Sequence, residues 1–297
     1  MTKPLRDLAA DLRIPCPEAW AEVPIEGVTD DSRAVTAGVL FVAHRGTRDD
    51  GHAHIADAVA RGAAAVVAER EIDVGPLPHW VVADGRLEHA RWAAAFYDHP
   101  TRRLRTIGVT GTNGKTSVCH FVAHLLGRET AAVIGTVENL DRGLRALTTP
   151  SSPAVQRIAR EALNDGKTTL IVEASSIGLE QHRLGEVAFD VGVFTNLTRD
   201  HLDLHGTLDA YGAAKALLFR SLAPSAVAVL NTDDSYSKAL REVCRCRVLG
   251  YGLGAGADLR AELRGEAAIG IDMVLVCGDD TARVTVPVHG PYGASNA

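Results

Sequence analysis

The chain has 297 residues, 46% of them hydrophobic and 23% charged, and carries a net charge of −6. That balance excludes a disordered chain, supplies enough apolar surface for two domains, and argues against a nucleic-acid surface. No apolar run approaches the ~20 residues needed to cross a bilayer, the amino terminus has no signal-peptide core, and the five cysteines, including Cys244 and Cys246, lack zinc spacing, so a cytoplasmic protein with reduced, structural thiols is expected.

The first hundred residues form a small α/β unit. It contains Ile25–Arg33, the run Gly38–Ala43, a turn over Arg45–Gly51, a helix over Ala53–Arg61, a strand over Ala64–Ala68 and a helix over Arg86–Tyr97. Proline disfavours helix in the residue before it, so His99-Pro100 marks a domain boundary, giving domains 1–100 and 101–297. The arginine-rich Thr101–Thr106 reads as a solvated linker. Beyond it, short apolar strands at Ala131–Ile134, Thr169–Val172, Val191–Thr195 and Ala226–Leu230 alternate with helical stretches at Pro153–Asn164, Leu208–Leu222 and Ser235–Cys244. This alternation predicts a parallel sheet covered on both faces. Alternating residues in Ala268–Cys277 and Ala282–His289, around Gly278-Asp-Asp280, predict a β-hairpin at the sheet edge.

The segment Ile107–Cys119 has the pattern of a strand, a glycine-rich turn and a helix start. In Thr110-Gly-Thr-Asn-Gly-Lys-Thr-Ser117, Gly111 and Gly114 permit a tight backbone whose N–H groups meet phosphate oxygens. Lys115 adds a mobile positive charge, and the Thr116 hydroxyl suits Mg²⁺. The usual first glycine position holds Val109, with Gly108 one place early. Glu173 ends a buried apolar strand, where it either meets a metal ion or caps a helix. Asn196, Asp200, His201, Asp203 and His205 crowd the end of the next strand, with Asn196 suited to a phosphate or water and His201 to a second metal ion. By itself Lys215, four residues after Tyr211, reads as a solvated helical charge.

These segments resemble the Mur ligase family, within it the type that adds the third residue of the peptidoglycan stem peptide. The likeness rests on the phosphate loop, on Asp30-Asp-Ser-Arg33 with Gly38–Ala43 and Asp50-Gly-His52, on Thr148-Thr-Pro150, Ser175-Ser176 and Gln181-His-Arg183, and on Tyr211-Gly-Ala-Ala-Lys215. The resemblance implies a UDP-binding amino-terminal domain, with Ser32, Thr47 and Arg48 facing the UDP. It implies muramoyl-peptide contacts from Thr148, Thr149, Ser175, Gln181 and Arg183, ATP and Mg²⁺ as cofactors, and a Lys215 carbamylated by CO₂ as a ligand for the second Mg²⁺. Lys115, Lys215, His201 and Asn196 would carry catalysis, and Thr116, Glu173, His201 and Lys215 would hold metal. The implied activity is ATP-dependent addition of an amino acid to UDP-MurNAc-L-Ala-D-Glu. Alternatives are a ligase of a secondary pathway and a non-catalytic binding module. Ile177 stands where the family commonly has His, and His289–Ala297 resembles the start of a helix closing the central domain. The family's third domain is therefore expected to be absent, possible partners including a separate chain that supplies it.

Overall fold

The computed structural model describes residues 1–47, 49–144, 147–200, 202–267 and 270–288. The chain divides into two compact units, the first made of Met1–Pro100 with Ser151–Arg160 and Gln181–Glu186, the second of the remaining residues.

In the first unit β1 (Lys3–Pro4), α1 (Leu5–Leu12), β2 (Pro24–Ile25), β3 (Gly27–Thr29), β4 (Val39–Ala43), α2 (Ile55–Ala60), β5 (Ala65–Ala68), β6 (His79–Val81) and α3 (Gly85–Phe96) follow in order. Strands β3 to β6 form a parallel sheet in sequential order. Successive side chains of a strand point to opposite faces. Leu40 and Val42 therefore pack with Trp92 and Phe96 of α3, while Phe41 and Ala43 pack with Ile55 and Ala58 of α2. Helix α2 starts two residues later than expected, because Gly51–His54 forms a 3₁₀ turn whose His52 N–H donates to the Asp50 carboxylate at 3.1 Å.

In chain order the elements that follow are β7 (Arg105–Thr110), α4 (Lys115–Leu126), β8 (Ala131–Ile134), α5 (Thr136–Asp141), α6 (Ser152–Asn164), β9 (Thr169–Glu173), α7 (Ser176–Glu180), β10 (Val191–Phe194), α8 (Leu202–His205), α9 (Leu208–Arg220), β11 (Val227–Asn231), α10 (Ser237–Val243), β12 (Arg247–Gly252), β13 (Leu259–Ala267), β14 (Gly270–Cys277) and β15 (Asp280–Val286). The strand order is β15-β14-β13-β12-β11-β10-β7-β9-β8. It is parallel from β8 to β13 and antiparallel beyond, with a register shift between Leu263 and Gly265. The edge hairpin is β14–β15, and the unanticipated β13 joins it to the parallel sheet. The helix start expected over 289–297 lies outside the described residues.

The linker expected over Thr101–Thr106 is not one. Pro100–Arg103 is a 3₁₀ turn and Arg105 opens β7. Exposed Arg102, Arg103 and Arg105 alternate with buried Thr101, Leu104 and Thr106, so the arginines mark only the outward positions. The core of this unit sets Val109, Ile171 and Val193 from three adjacent strands against Val118, Cys119 and Ala123 of α4. Deleting one methyl here with Ile171→Val is expected to cost about 0.5–1.5 kcal/mol, read as a lower urea midpoint with an unchanged slope.

Candidate active site at the carboxyl ends of three strands

Strand β7 lies between β9 and β10, with Val109 opposite Glu173 and Thr110 opposite Phe194. The glycine-rich loop, Glu173 and Thr195-Asn196 therefore leave neighbouring strands at one edge, where open α/β sheets bind ligands. Gly111 has φ +153°, and a Cβ there would collide with Thr195 Oγ1. Gly114, at φ +88°, is the left-handed cap from which α4 starts at Lys115. Gly108 serves another purpose, since a Cβ on it would lie 2.8 Å from the Phe189 ring and 3.0 Å from Leu218 of α9. It is a packing glycine in the strand, which accounts for its offset from the usual loop spacing.

The loop is held from β10. Asn113 N–H donates to Asn196 Oδ1 at 3.0 Å and Asn196 Nδ2 donates back to the Asn113 carbonyl at 3.1 Å. Thr112 N–H donates to the Asn196 carbonyl at 2.8 Å, and Thr195 Oγ1 donates to the Asn113 carbonyl at 2.6 Å. Asn196 thus braces the loop through both ends of its amide. Asn196→Ala removes two of these bonds, each worth about 1 kcal/mol net. The expected result is a lower denaturation midpoint together with weaker nucleotide binding, measured on the same preparation.

Lys115 Nζ donates to the carbonyls of Gly111 (3.0 Å) and Thr112 (2.9 Å). Lys215, on α9 and 1% exposed, donates to the same Gly111 carbonyl at 2.8 Å, with its ammonium 3.9 Å from the Tyr211 ring centre. The reading of Lys215 as a solvated charge is overturned: α9 packs against β7, where Gly108 leaves room for Leu218, and Lys215 reaches the loop from there. Burial, and then the charge of Lys115, pull the Lys215 ammonium down to about 6, against the attraction of Asp200. Burial also lowers Lys115, opposed by Glu173 and Asp200. Glu173 is 1% exposed and accepts from the Thr136 N–H at 3.2 Å and from the Thr116 hydroxyl. Burial raises its carboxyl above the usual range despite those bonds and Lys115. A buried carboxylate beside a threonine hydroxyl is a hard-oxygen pair, which fits Mg²⁺. Lys215 as an amine does not suit that ion.

Around this centre, Thr149 Oγ1 donates to the Glu173 carbonyl at 2.7 Å and lies 2.9 Å from Ser175 Oγ, while Thr148 Oγ1 meets Thr136 Oγ1 at 3.2 Å. His205 is buried, with Nε2 2.9 Å from Ser176 Oγ. Thr110 and Thr112 are buried and Ser117 is exposed. In the first unit Ser32 lies in a 3₁₀ turn capped by Asp31, Thr47 is exposed, and Arg183 donates to Gln181 Oε1 at 2.6 Å. Arg48 and His201 lie outside the described residues. Sequence reasoning passed over Asn231 and Asp234. Asn231 Nδ2 donates to the Thr195 carbonyl at 2.7 Å, and Leu197 N–H donates to Asp234 Oδ2 at 2.8 Å. The signal available for them was Asn231-Thr-Asp-Asp234 directly after an apolar strand, the same polar-after-strand pattern that marked Asn196.

The Mur ligase middle-domain family matches residues 109–297, and the Mur ligase family catalytic domain matches residues 24–103. The UDP-N-acetylmuramoyl-L-alanyl-D-glutamate–2,6-diaminopimelate ligase of Geobacter sulfurreducens is 41% identical over 278 residues, 89% of this chain and 54% of that protein. The ligase of the same description from Bacillus licheniformis is 38% identical over 283 residues, 92% of this chain and 58% of that protein. A solved structure with that description superposes with a TM-score of 0.83 at 31% identity, over all of this chain and 62% of the other. The chain thus spans a little over half the length of the curated relatives it matches.

Proposed function

We propose, since this chain belongs to the Mur ligase family, that it carries the phosphoryl-transfer half of an ATP-dependent amide ligase of peptidoglycan precursor synthesis in the cytoplasm. The substrate would be UDP-MurNAc-L-Ala-D-Glu and the incoming group an amino acid, as in the names of the relatives. The observation that carries the reading is the Gly111 carbonyl, which receives Lys115 from the loop helix and Lys215 from α9 in the same unit as the Glu173–Thr116 pair.

In this reading Lys115 and the N–H groups at the start of α4 bind the ATP phosphates, those of Thr112 and Asn113 being taken by Asn196, and Lys115 neutralises charge as the phosphoryl group passes to the substrate carboxylate. An acyl phosphate results, and the amine of an amino acid then displaces phosphate to form the amide. Thr116 and Glu173 would hold Mg²⁺, which supplies charge neutralisation at the phosphate oxygens. Lys215 would join them as a carbamate, its uncharged amine attacking CO₂ and releasing one proton. Thr149 and Ser175, together with Ser32, Thr47, Arg48, Thr148, Gln181 and Arg183, would contact the UDP-muramoyl peptide, and His201 would hold metal. Domains are proposed at 1–100 and 101–297.

The experiment is ADP release with ATP, Mg²⁺, bicarbonate and UDP-MurNAc-L-Ala-D-Glu, with and without a panel of amino acids that includes diaminopimelate. Release dependent on the UDP substrate supports the reading. Absence of binding by both ATP and the UDP substrate would sink it.

A further inference from the structure

Three elements of the first unit converge on a feature that phosphoryl transfer does not use. Asp30 directly follows β3, His44 directly follows β4, and His89 sits on the second turn of α3. One Asp30 oxygen, Oδ2, lies 3.1 Å from His44 Nε2 and 3.6 Å from His89 Nδ1. One nitrogen of each imidazole and one Asp30 oxygen all lie within 4.8 Å of one another.

Ligands about 2.0–2.2 Å from a tetrahedral zinc stand about 3.3–3.6 Å apart, so the two measured separations bracket that spacing without large movement. The donor set is two imidazoles and one carboxylate, suited to a first-row divalent ion such as Zn²⁺ and poorly suited to Mg²⁺ or Ca²⁺, which favour all-oxygen shells. His89 is the buried member of the set. It is 4% exposed, and its Nε2 is buried with no hydrogen-bond partner among the described residues. That nitrogen faces away from the cluster, and the one an ion would engage is Nδ1, 3.6 Å from Asp30 Oδ2 and too far for a good hydrogen bond to it. Asp30 stays partly exposed, which gives an ion a way in. Arg86 and Arg183 exert their charges on this cluster, and each is also engaged nearby, Arg86 on the Arg45 carbonyl at 3.0 Å and Arg183 on Gln181 Oε1. Two guanidinium groups nearby oppose the charge of a cation, so an anionic oxygen in the remaining coordination position would offset them.

We propose that Asp30, His44 and His89 form a zinc-class metal site at the carboxyl edge of the first parallel sheet, tying β3 and β4 to α3. The site is independent of the phosphoryl-transfer reading, and its test does not use activity.

The full chain, stripped with chelator and exchanged into Mg²⁺ buffer, is titrated with Zn²⁺ against a chromophoric chelator and with Co²⁺ by visible absorption. The expected result is one Zn²⁺ per chain, intense Co²⁺ d–d bands of low coordination number, and a higher melting temperature with Zn²⁺. His44→Gln and Asp30→Asn, at positions open enough for the variants to fold, should each weaken binding by more than the roughly 10–100-fold that loss of a supporting hydrogen bond costs. His89→Gln should do the same, with circular dichroism showing that it is folded. A Cys244→Ser/Cys246→Ser double variant should bind Zn²⁺ unchanged. No stoichiometric Zn²⁺ binding by the parent chain, binding indifferent to all three substitutions, or binding lost only with the cysteines would overturn the proposal and leave a plain hydrogen-bonded histidine pair.

Discussion

Lys115→Ala is expected to weaken Mg²⁺-nucleotide binding by roughly 10–150-fold, the equivalent of about 1.5–3 kcal/mol for a hydrogen bond to a charged group. Any substrate-dependent ADP release should fall further, by roughly 10²–10³-fold, because a charge aimed at the transferring phosphoryl group counts most in the transition state. The reason is local. Among the described residues the Lys115 ammonium donates to the Gly111 and Thr112 carbonyls of its own loop, so its removal takes little from the fold. Lys115→Arg should keep part of the affinity and little of the rate, since a planar fork does not reproduce a compact ammonium. Titration of a fluorescent ADP analogue, run beside thermal melts, separates the two effects. An alanine variant that binds nucleotide as tightly as the parent chain would remove the loop from the proposed site.

Lys215 yields the second large effect. With its ammonium pulled down to about 6, most of the chain holds an uncharged amine at neutral pH, the form that attacks CO₂. A carbamate signal in carbon-13 spectra of chain equilibrated with labelled bicarbonate should therefore be strong near neutrality, fade as pH falls through about 6, and be missing in Lys215→Met. The same burial has a cost in stability. Because the folded-state value lies below the ordinary 10.5, the unfolded chain takes the proton first, and this residue's contribution to stability declines as pH drops from about 10.5 to about 6. Lys215→Met, similar in volume and without a charge to desolvate, should melt higher than the parent at neutral pH while losing the carbamate. A variant that melts lower at neutral pH would mean that its bond to Gly111 outweighs desolvation.

Much of the second unit was legible because its strands are short, apolar and regularly separated, so the strands read at Thr169–Val172 and Val191–Thr195 fall within one residue of β9 and β10. The phosphate loop was legible from Gly111, Gly114 and Lys115, whose chemistry admits few substitutes. Elements whose signal is brief or mixed were not. Helix α1 shows only Leu5, Leu8 and Leu12 on one face, and β13 hides its apolar alternation behind Arg260, Glu262 and Arg264. At Thr101–Thr106 charge was mistaken for solvation of the whole segment, when it described one side of a buried chain. Lys215 could not be read as buried from helical spacing, since that depends on how closely α9 approaches the loop, a long-range fact. The place of Asn196 at a strand end was legible, but its reciprocal bonding with Asn113 is visible only once β10 and β7 are side by side.

The shared Gly111 carbonyl sets the two ammonium groups beside one another. The charge of Lys115 is one of the forces that keep Lys215 unprotonated, so neutralising the first invites a proton onto the second. In Lys115→Ala the midpoint of carbamate loss should move to higher pH. A double-mutant cycle between the two positions should then be strongly non-additive, the pair together costing less than the sum of the separate losses. One backbone oxygen thereby connects the charge that would grip phosphate to the amine that would take up carbon dioxide.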